Sequence, residues 1–253
     1  MKYHVILFYL LLFAYLSSCS QHSTADKSEI IKVDTVADTK LENTVNIAEK
    51  YLLGKIIPEK DTMFVLVPKK YCIYRDEYLL KEVYEAYLKM YDAAKKENIS
   101  LGIVSAFRSF DTQKWLWEKK LSSTTITEND IKKALQYSSM PGISRHHWGT
   151  EIDLCSLNPQ WYINNSEGIK TYKWLKEHAN EYGFYQAYSA NRNDGFYEEK
   201  WHWSYKKIAV SYLNEYKKKI STKHISGFKG DSYCASLNVI ERYVFSIDSL
   251  LIK

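Results

Sequence analysis

Apolar residues fall into one unbroken run near the N-terminus, several stretches stepping by three and four, and a few short runs. The unbroken run, 5–16, is too short to span a bilayer comfortably and follows the positive segment Met1-Lys2-Tyr3-His4. Over 20–43 apolar positions thin out, and Ser, Thr, Asp and Lys prevail, as in a tether. Residues 44–53 read as a first helix or an extended arm, and 63–68 as a short strand stopped by Pro68. Leu79, Leu80, Val83, Tyr87, Met90 and Ala94 recur at helical steps, which predicts one helix over 75–98. Residues 99–107 then read as a buried strand delivering Arg108.

Asp111 is placed to cap a helix over 112–120, with Trp115 and Leu116 turned inward. A further helix starts at Thr127-Glu128-Asn129-Asp130 and ends near Ser138, and Pro141-Gly142 breaks the chain. Thr150-Glu151-Ile152-Asp153-Leu154 alternates as a strand, with Ile152 and Leu154 toward a core and Glu151 and Asp153 on the other face. A loop over 158–168, a helix over 171–182 stopped by Gly183, and a strand over 184–188 follow. Next come a polar loop over 190–195, a short aromatic strand over 201–205, and helical spacing over 207–220 and 235–251. No internal repeat is present. Helices grouped around a few short strands predict an α+β fold with a small antiparallel sheet.

At 253 residues, with 45% hydrophobic and 26% charged positions, the chain has room for one domain with a real core. The net charge of +5 is spread along the sequence, without the clustering that nucleic-acid binding needs. Leu16-Ser17-Ser18-Cys19 ends the N-terminal apolar run and resembles a bacterial lipobox, which predicts a signal peptide over 1–18 and lipidation of Cys19. The alternative is a plain secretory signal with an incidental cysteine. The expected organisation is a signal peptide, a tether over 19–43 and one domain over 44–253. Cys72, Cys155 and Cys234 leave one thiol unpaired if a disulfide forms.

The chemistry concentrates in Ser144-Arg145-His146-His147-Trp148-Gly149-Thr150-Glu151-Ile152-Asp153 and in Glu199-Lys200-Trp201-His202-Trp203. Together they offer imidazoles and a carboxylate for a metal and a spare carboxylate for a base, the inventory of a catalytic zinc site. His146 and Asp153 are an odd number of residues apart, so on one straight strand they would face opposite ways. They converge only if the chain turns between them, and Gly149 permits it. Glu199 and His202 likewise need a bend.

Ser-x-His-x-x-Gly-x-x-x-Asp followed by Glu-x-Trp-His resembles the signature of the zinc D-alanyl-D-alanine carboxypeptidases, the VanY-type peptidases with their VanX dipeptidase relatives. Ser105-Ala106-Phe107-Arg108-Ser109 and Gln113 resemble that family's upstream Ser-x-x-Arg-Ser…Gln segment, and the likeness runs from about 67 to 205. The resemblance implies a hedgehog/D,D-peptidase-like fold and one Zn2+ ion on His146, Asp153 and His202. It implies Glu199 as catalytic base, Arg108 as substrate-binding cation, and Ser105, Gln113 and Ser144 as further substrate contacts. A peptidoglycan stem peptide would be the substrate of a monomeric enzyme anchored by lipid in the cell envelope, facing the periplasm.

Several roles stay open on the residues alone. His147 could replace His146, Asp153 could orient a histidine, and Glu198 competes with Glu199. Arg108 could hold an oxyanion or a terminal carboxylate, or form a structural salt bridge. Cys155 reads as packing beside Leu154, and Trp148, Trp201 and Trp203 as cleft or core. Glu151 stands where the family commonly has a small residue, so it touches the metal's surroundings, a substrate amine or solvent. An L,D-carboxypeptidase or an endopeptidase would use the same zinc chemistry. A metal-free wall-binding lipoprotein is the reading from another class, and it has no need of Glu199.

Overall fold

The computed structural model describes residues 46–121, 123–190 and 192–252. The expected signal peptide, Cys19 and the tether lie outside them. Helix α1 (Glu49–Leu52) is followed by an antiparallel pair, β1 (Phe64–Val67) and β2 (Glu77–Leu80). The single helix expected over 75–98 is therefore a strand and then helix α2 (Lys81–Lys96). Adjacent Leu79 and Leu80 are the cause. Both are buried, and a strand sends such neighbours to opposite faces. Beyond them Val83, Ala86, Tyr87, Met90 and Ala94 form the buried stripe of α2.

The strand expected over 99–107 shortens to β3 (Ile103–Ser105), three residues before Arg108. Helix α3 (Phe110–Glu118) is capped by Ser109, whose hydroxyl accepts from the Thr112 N–H at 3.1 Å; Asp111 sits in the first turn instead. That earlier start rotates the face. Phe110, Gln113 and Trp117 point inward, while Trp115 is exposed under the Lys119 ammonium. Helix α4 (Glu128–Leu135) begins on a reciprocal Thr127–Asp130 cap, where the sequence places it.

A 3-10 turn, Arg145–Trp148, ends on Gly149 at φ 69° and feeds β4 (Glu151–Leu154). A Cβ at Gly149 would lie 2.5 Å from the Phe64 ring, so both conformation and packing require glycine there. The expected loop at 158–168 holds α5 (Trp161–Asn164) and the start of α6 (Ser166–His178), capped by Asn165. After β5 (Phe184–Gln186) and β6 (His202–Tyr205) comes α7 (Lys206–Lys219). The helix expected over 235–251 is replaced by short turns, Glu241–Phe245 and Ser249–Leu251, after Asn238 at φ 48°. Most of its apolar residues, Leu237, Val239, Ile240, Val244, Ile247 and Leu251 among them, are buried all the same, while Leu250 is exposed.

The main sheet is antiparallel in the order β3-β4-β6-β5, and the fold is α+β as expected. Its register sets the site: Asp153 lies opposite His202 and Glu151 opposite Ser204. Period-two alternation puts these four side chains on one face and Ile152, Leu154 and Trp203 on the core face.

Candidate functional site

The turn after Ser144 and the ladder between β4 and β6 bring three ligand atoms together. Nε2 of His146 lies 3.2 Å from Asp153 Oδ2, and Nδ1 of His202 lies 3.0 Å from Asp153 Oδ1. His146, Asp153 and His202 each offer one atom within 4.8 Å of the others, and all three are buried. Two metal–ligand bonds of about 2.0–2.1 Å at a tetrahedral angle span about 3.3 Å, so the spacing suits one zinc ion. Nε2 of His146 is also buried without a hydrogen bond among the described residues, as an atom aimed at a metal would be.

Each histidine is oriented through its other nitrogen. Nδ1 of His146 donates to the Ala106 carbonyl at 2.6 Å. Nε2 of His202 faces Oε2 of Glu151 at 2.8 Å. Glu151 is fully buried and is held by Nη2 of Arg145 at 3.0 Å and by the Ser204 hydroxyl at 2.8 Å. Of the roles open to it, contact beside the candidate metal site is the one it occupies.

His147 does not take part. Its Nδ1 donates to the Arg108 carbonyl at 2.6 Å, and its Nε2 accepts from the Gly142 N–H at 3.0 Å. Burial pushes its pKa down to about 3, which keeps it neutral, with the Arg108 carbonyl working the other way. The Arg108 N–H in turn donates to the His146 carbonyl at 3.1 Å. Both backbone groups of Arg108 are thus tied to the turn that carries His146.

The Arg108 guanidinium reaches the cleft with Nη2 3.6 Å from Asp153 Oδ2, and its Nη1 donates to Gln113 Oε1 at 2.9 Å. Gln113 is wholly buried and donates to the Ser139 carbonyl at 2.7 Å, so it positions Arg108 from behind. Ser144 lines the cleft, whereas Ser105 and Gln113 are not among its lining residues.

Glu199 Oε2 lies 3.7 Å from Nδ1 of His202, on the side where the three ligand atoms converge. A turn between them, closed by the His202 N–H on the Glu199 carbonyl at 3.3 Å, supplies the expected bend. Glu198 points elsewhere, bonded to the Tyr172 hydroxyl and to Lys200. Cys155 Sγ lies 3.2 Å from the Ser100 carbonyl and outside the ligand group. Trp201 lines the cleft, while Trp148 and Trp203 belong to the core.

Electrostatics separate the carboxylates. Burial pushes the Glu199 carboxyl up to about 7, against the pull of His202. Burial also acts to raise Asp153, but His146 and His202 outweigh it and hold that carboxyl below the usual range. Burial would lower His202, yet its bonds to Asp153 and Glu151 raise it to about 9. One group is thus poised near neutrality and one held ionised, the division that acid–base chemistry beside a metal requires.

The cleft has a volume of about 450 Å3, with Tyr137, Tyr188, Phe196 and Tyr197 along its walls. A broader groove of about 810 Å3 lies between the 54–59 and 75–78 segments and α3, and holds none of the ligands. Sequence reasoning placed Glu151 on the Asp153 face but missed its partners Arg145 and Ser204. Ser204 had a signal, since it lies two residues after His202 on the same strand face.

Residues 76–208 match the family model described as VanY: D-alanyl-D-alanine carboxypeptidase. The chain is 35% identical over 131 residues to YodJ of Bacillus subtilis (strain 168), a carboxypeptidase by assignment, covering 51% of this chain and 46% of that protein. It is 27% identical over 131 residues to the D-alanyl-D-alanine carboxypeptidase of Enterococcus faecium, covering 51% and 37%. The chain thus spans less than half the length of these two relatives. Among solved structures, the LdcB LD-carboxypeptidase superposes with a TM-score of 0.49 at 28% identity, covering 64% of this chain and 79% of that one.

Proposed function

From a chain that belongs to the VanY family of D-alanyl-D-alanine carboxypeptidases, we propose an enzyme that removes the C-terminal D-alanine from peptidoglycan stem peptides with one zinc ion. The observation that carries this reading is the convergence of His146, Asp153 and His202 with Glu199 and Arg108 beside them. A zinc ion there would lower the pKa of an attacking water and polarise the scissile carbonyl. Glu199 takes the proton from that water and passes it to the leaving amine, work suited to a carboxyl near neutrality. Arg108 offers a fixed guanidinium to the substrate's terminal carboxylate. All these groups come from one chain, which supports activity as a monomer.

The test is to incubate the purified chain with peptides ending in D-alanyl-D-alanine and with their C-terminal amides, identifying products by mass. Only the acids are cleaved if Arg108 grips the free terminus. A lost charge-assisted contact costs about 1.5–3 kcal/mol, so Arg108→Ala lowers kcat/KM for the acid by about ten- to a hundredfold and narrows the gap to the amide. Equal cleavage of acid and amide by the unaltered enzyme would end the carboxypeptidase reading and favour an endopeptidase. Release from L,D-linked termini alone would favour the L,D alternative.

Zinc binding has its own signature. A group whose folded pKa is raised keeps its proton until that value is passed, so in metal-free protein His202 holds two protons below about pH 9. A ligand nitrogen must give its proton up. Zinc added at about pH 8 therefore releases close to one proton per ion, measured by calorimetry in buffers of different ionisation enthalpy. Absence of release would mean that His202 is neutral before the metal arrives.

We propose further that Cys19 anchors the enzyme by lipid in the cell envelope, on the periplasmic side. The residue pattern 16–19 supports this. Cys19→Ser is expected to leave catalysis intact and free the protein from the membrane fraction. Unchanged membrane association would rule the lipobox out.

A further inference from the structure

The two histidines of the site present opposite nitrogens to the same point, and the group that decides this for His202 is Glu151. Its Oε1 accepts three hydrogen bonds: from Arg145 Nη2 at 3.0 Å, from the Thr150 hydroxyl at 3.0 Å and from the Ser204 hydroxyl at 2.8 Å. Arg145 Nη2 also donates to Ser204 Oγ at 2.9 Å, and the guanidinium lies over the Trp148 ring at 4.5 Å. Glu151 and Arg145 are 0% and 1% exposed, so the carboxylate has one placement and only Oε2 left to offer. That oxygen lies 2.8 Å from His202 Nε2.

An ionised carboxylate only accepts, so the proton of this bond belongs to His202 Nε2. The lone pair of a neutral His202 is then on Nδ1, the atom that faces Asp153. At His146 the acceptor is the Ala106 carbonyl on Nδ1, which leaves Nε2 free. We propose that Glu151, locked by Arg145, is a positioning residue that fixes the tautomer and ring plane of His202 for the metal. The cost of the arrangement is contained by pairing. Arg145 neutralises Glu151, and the pair orients the ligand without adding net charge beside the metal.

This inference rests on the zinc reading, and its test separates the two. Removing Glu151 alone would leave a buried guanidinium uncompensated, so both partners are changed together. Wild type, Glu151→Ala with Arg145→Met, and Glu151→Gln with Arg145→Met are compared for zinc dissociation constant by chelator competition and for metal-free melting temperature. The alanine pair binds zinc about ten- to a hundredfold more weakly, as expected for a lost hydrogen bond behind a ligand. The glutamine pair, which retains an accepting oxygen for Nε2–H, recovers most of that loss, although the two pairs melt alike without metal.

A second measurement needs no variant. Two-bond nitrogen–proton spectra of zinc-loaded wild type, labelled with 15N-histidine, show His202 ligated through Nδ1 and protonated on Nε2. Wild-type affinity in the alanine pair, or ligation of His202 through Nε2, overturns the role given to Glu151 and leaves the zinc site standing. Failure of wild type to bind zinc overturns both.

Discussion

Glu199→Gln lowers turnover by about a hundred- to ten-thousand-fold while zinc binding stays near that of the wild type. The amide cannot take a proton from the attacking water, yet it fills the same space. Glu199 donates no atom to the ligand group, whose members are His146, Asp153 and His202, so the ion has little reason to leave. The backbone at 199 is pinned independently of the side chain: its N–H donates to the Tyr188 carbonyl at 2.9 Å, and its carbonyl accepts from Gln186 at 3.1 Å. Glu198→Gln is the control. It loosens contacts to Tyr172 and Lys200 at the cleft wall and changes turnover little. Single-turnover rates and metal content of the two variants decide between the neighbours, and a silent Glu199→Gln would move the base elsewhere.

His202→Ala abolishes both zinc binding and peptide cleavage. It removes one of three ligands, and it also strips Asp153 and Glu151 of their shared partner. Two buried carboxylates then face a hole, one still matched by Arg145 and the other by Arg108 at 3.6 Å. Metal content by atomic emission and cleavage by mass report the outcome. Residual cleavage by a metal-free variant would remove zinc from the chemistry altogether.

The candidate ligand group is legible in the sequence because its constraints are local. An odd spacing between His146 and Asp153 demands a turn, and Gly149 is the residue able to make it. Alternation along 150–154 is enough by itself to put Glu151 beside Asp153. Alternation does not reveal Arg145, which reaches Glu151 only because the chain reverses between them. The doublet His146-His147 is ambiguous for a similar reason, since the partner that claims His147 is the carbonyl of Arg108, far away in sequence.

The fold is harder to read where one pattern serves two structures. The Leu79-Leu80 pair fits the start of a helix as well as a strand buried on both sides, and only pairing with β1 decides. At 109–111, serine and aspartate compete to cap the same helix, and choosing the wrong one exchanges Trp115 for Trp117 in the core. Over 235–251 the apolar spacing reports burial for most positions, though not for Leu250, and burial there is achieved by successive short turns.

The tie between Arg108 and the histidine turn has a metric consequence. The N–H and C=O of Arg108 are both held by residues 146–147 and its guanidinium by Gln113, so the cation keeps a set station beside the His146 turn. A substrate that placed its terminal carboxylate on Arg108 would present to a metal at the candidate site whichever peptide bond lay one fixed length inward. On the proposed reading the enzyme would work as a gauge with a built-in stop. It would measure from the chain end, and lengthening the stem peptide at its other end would leave the position of the cut unchanged.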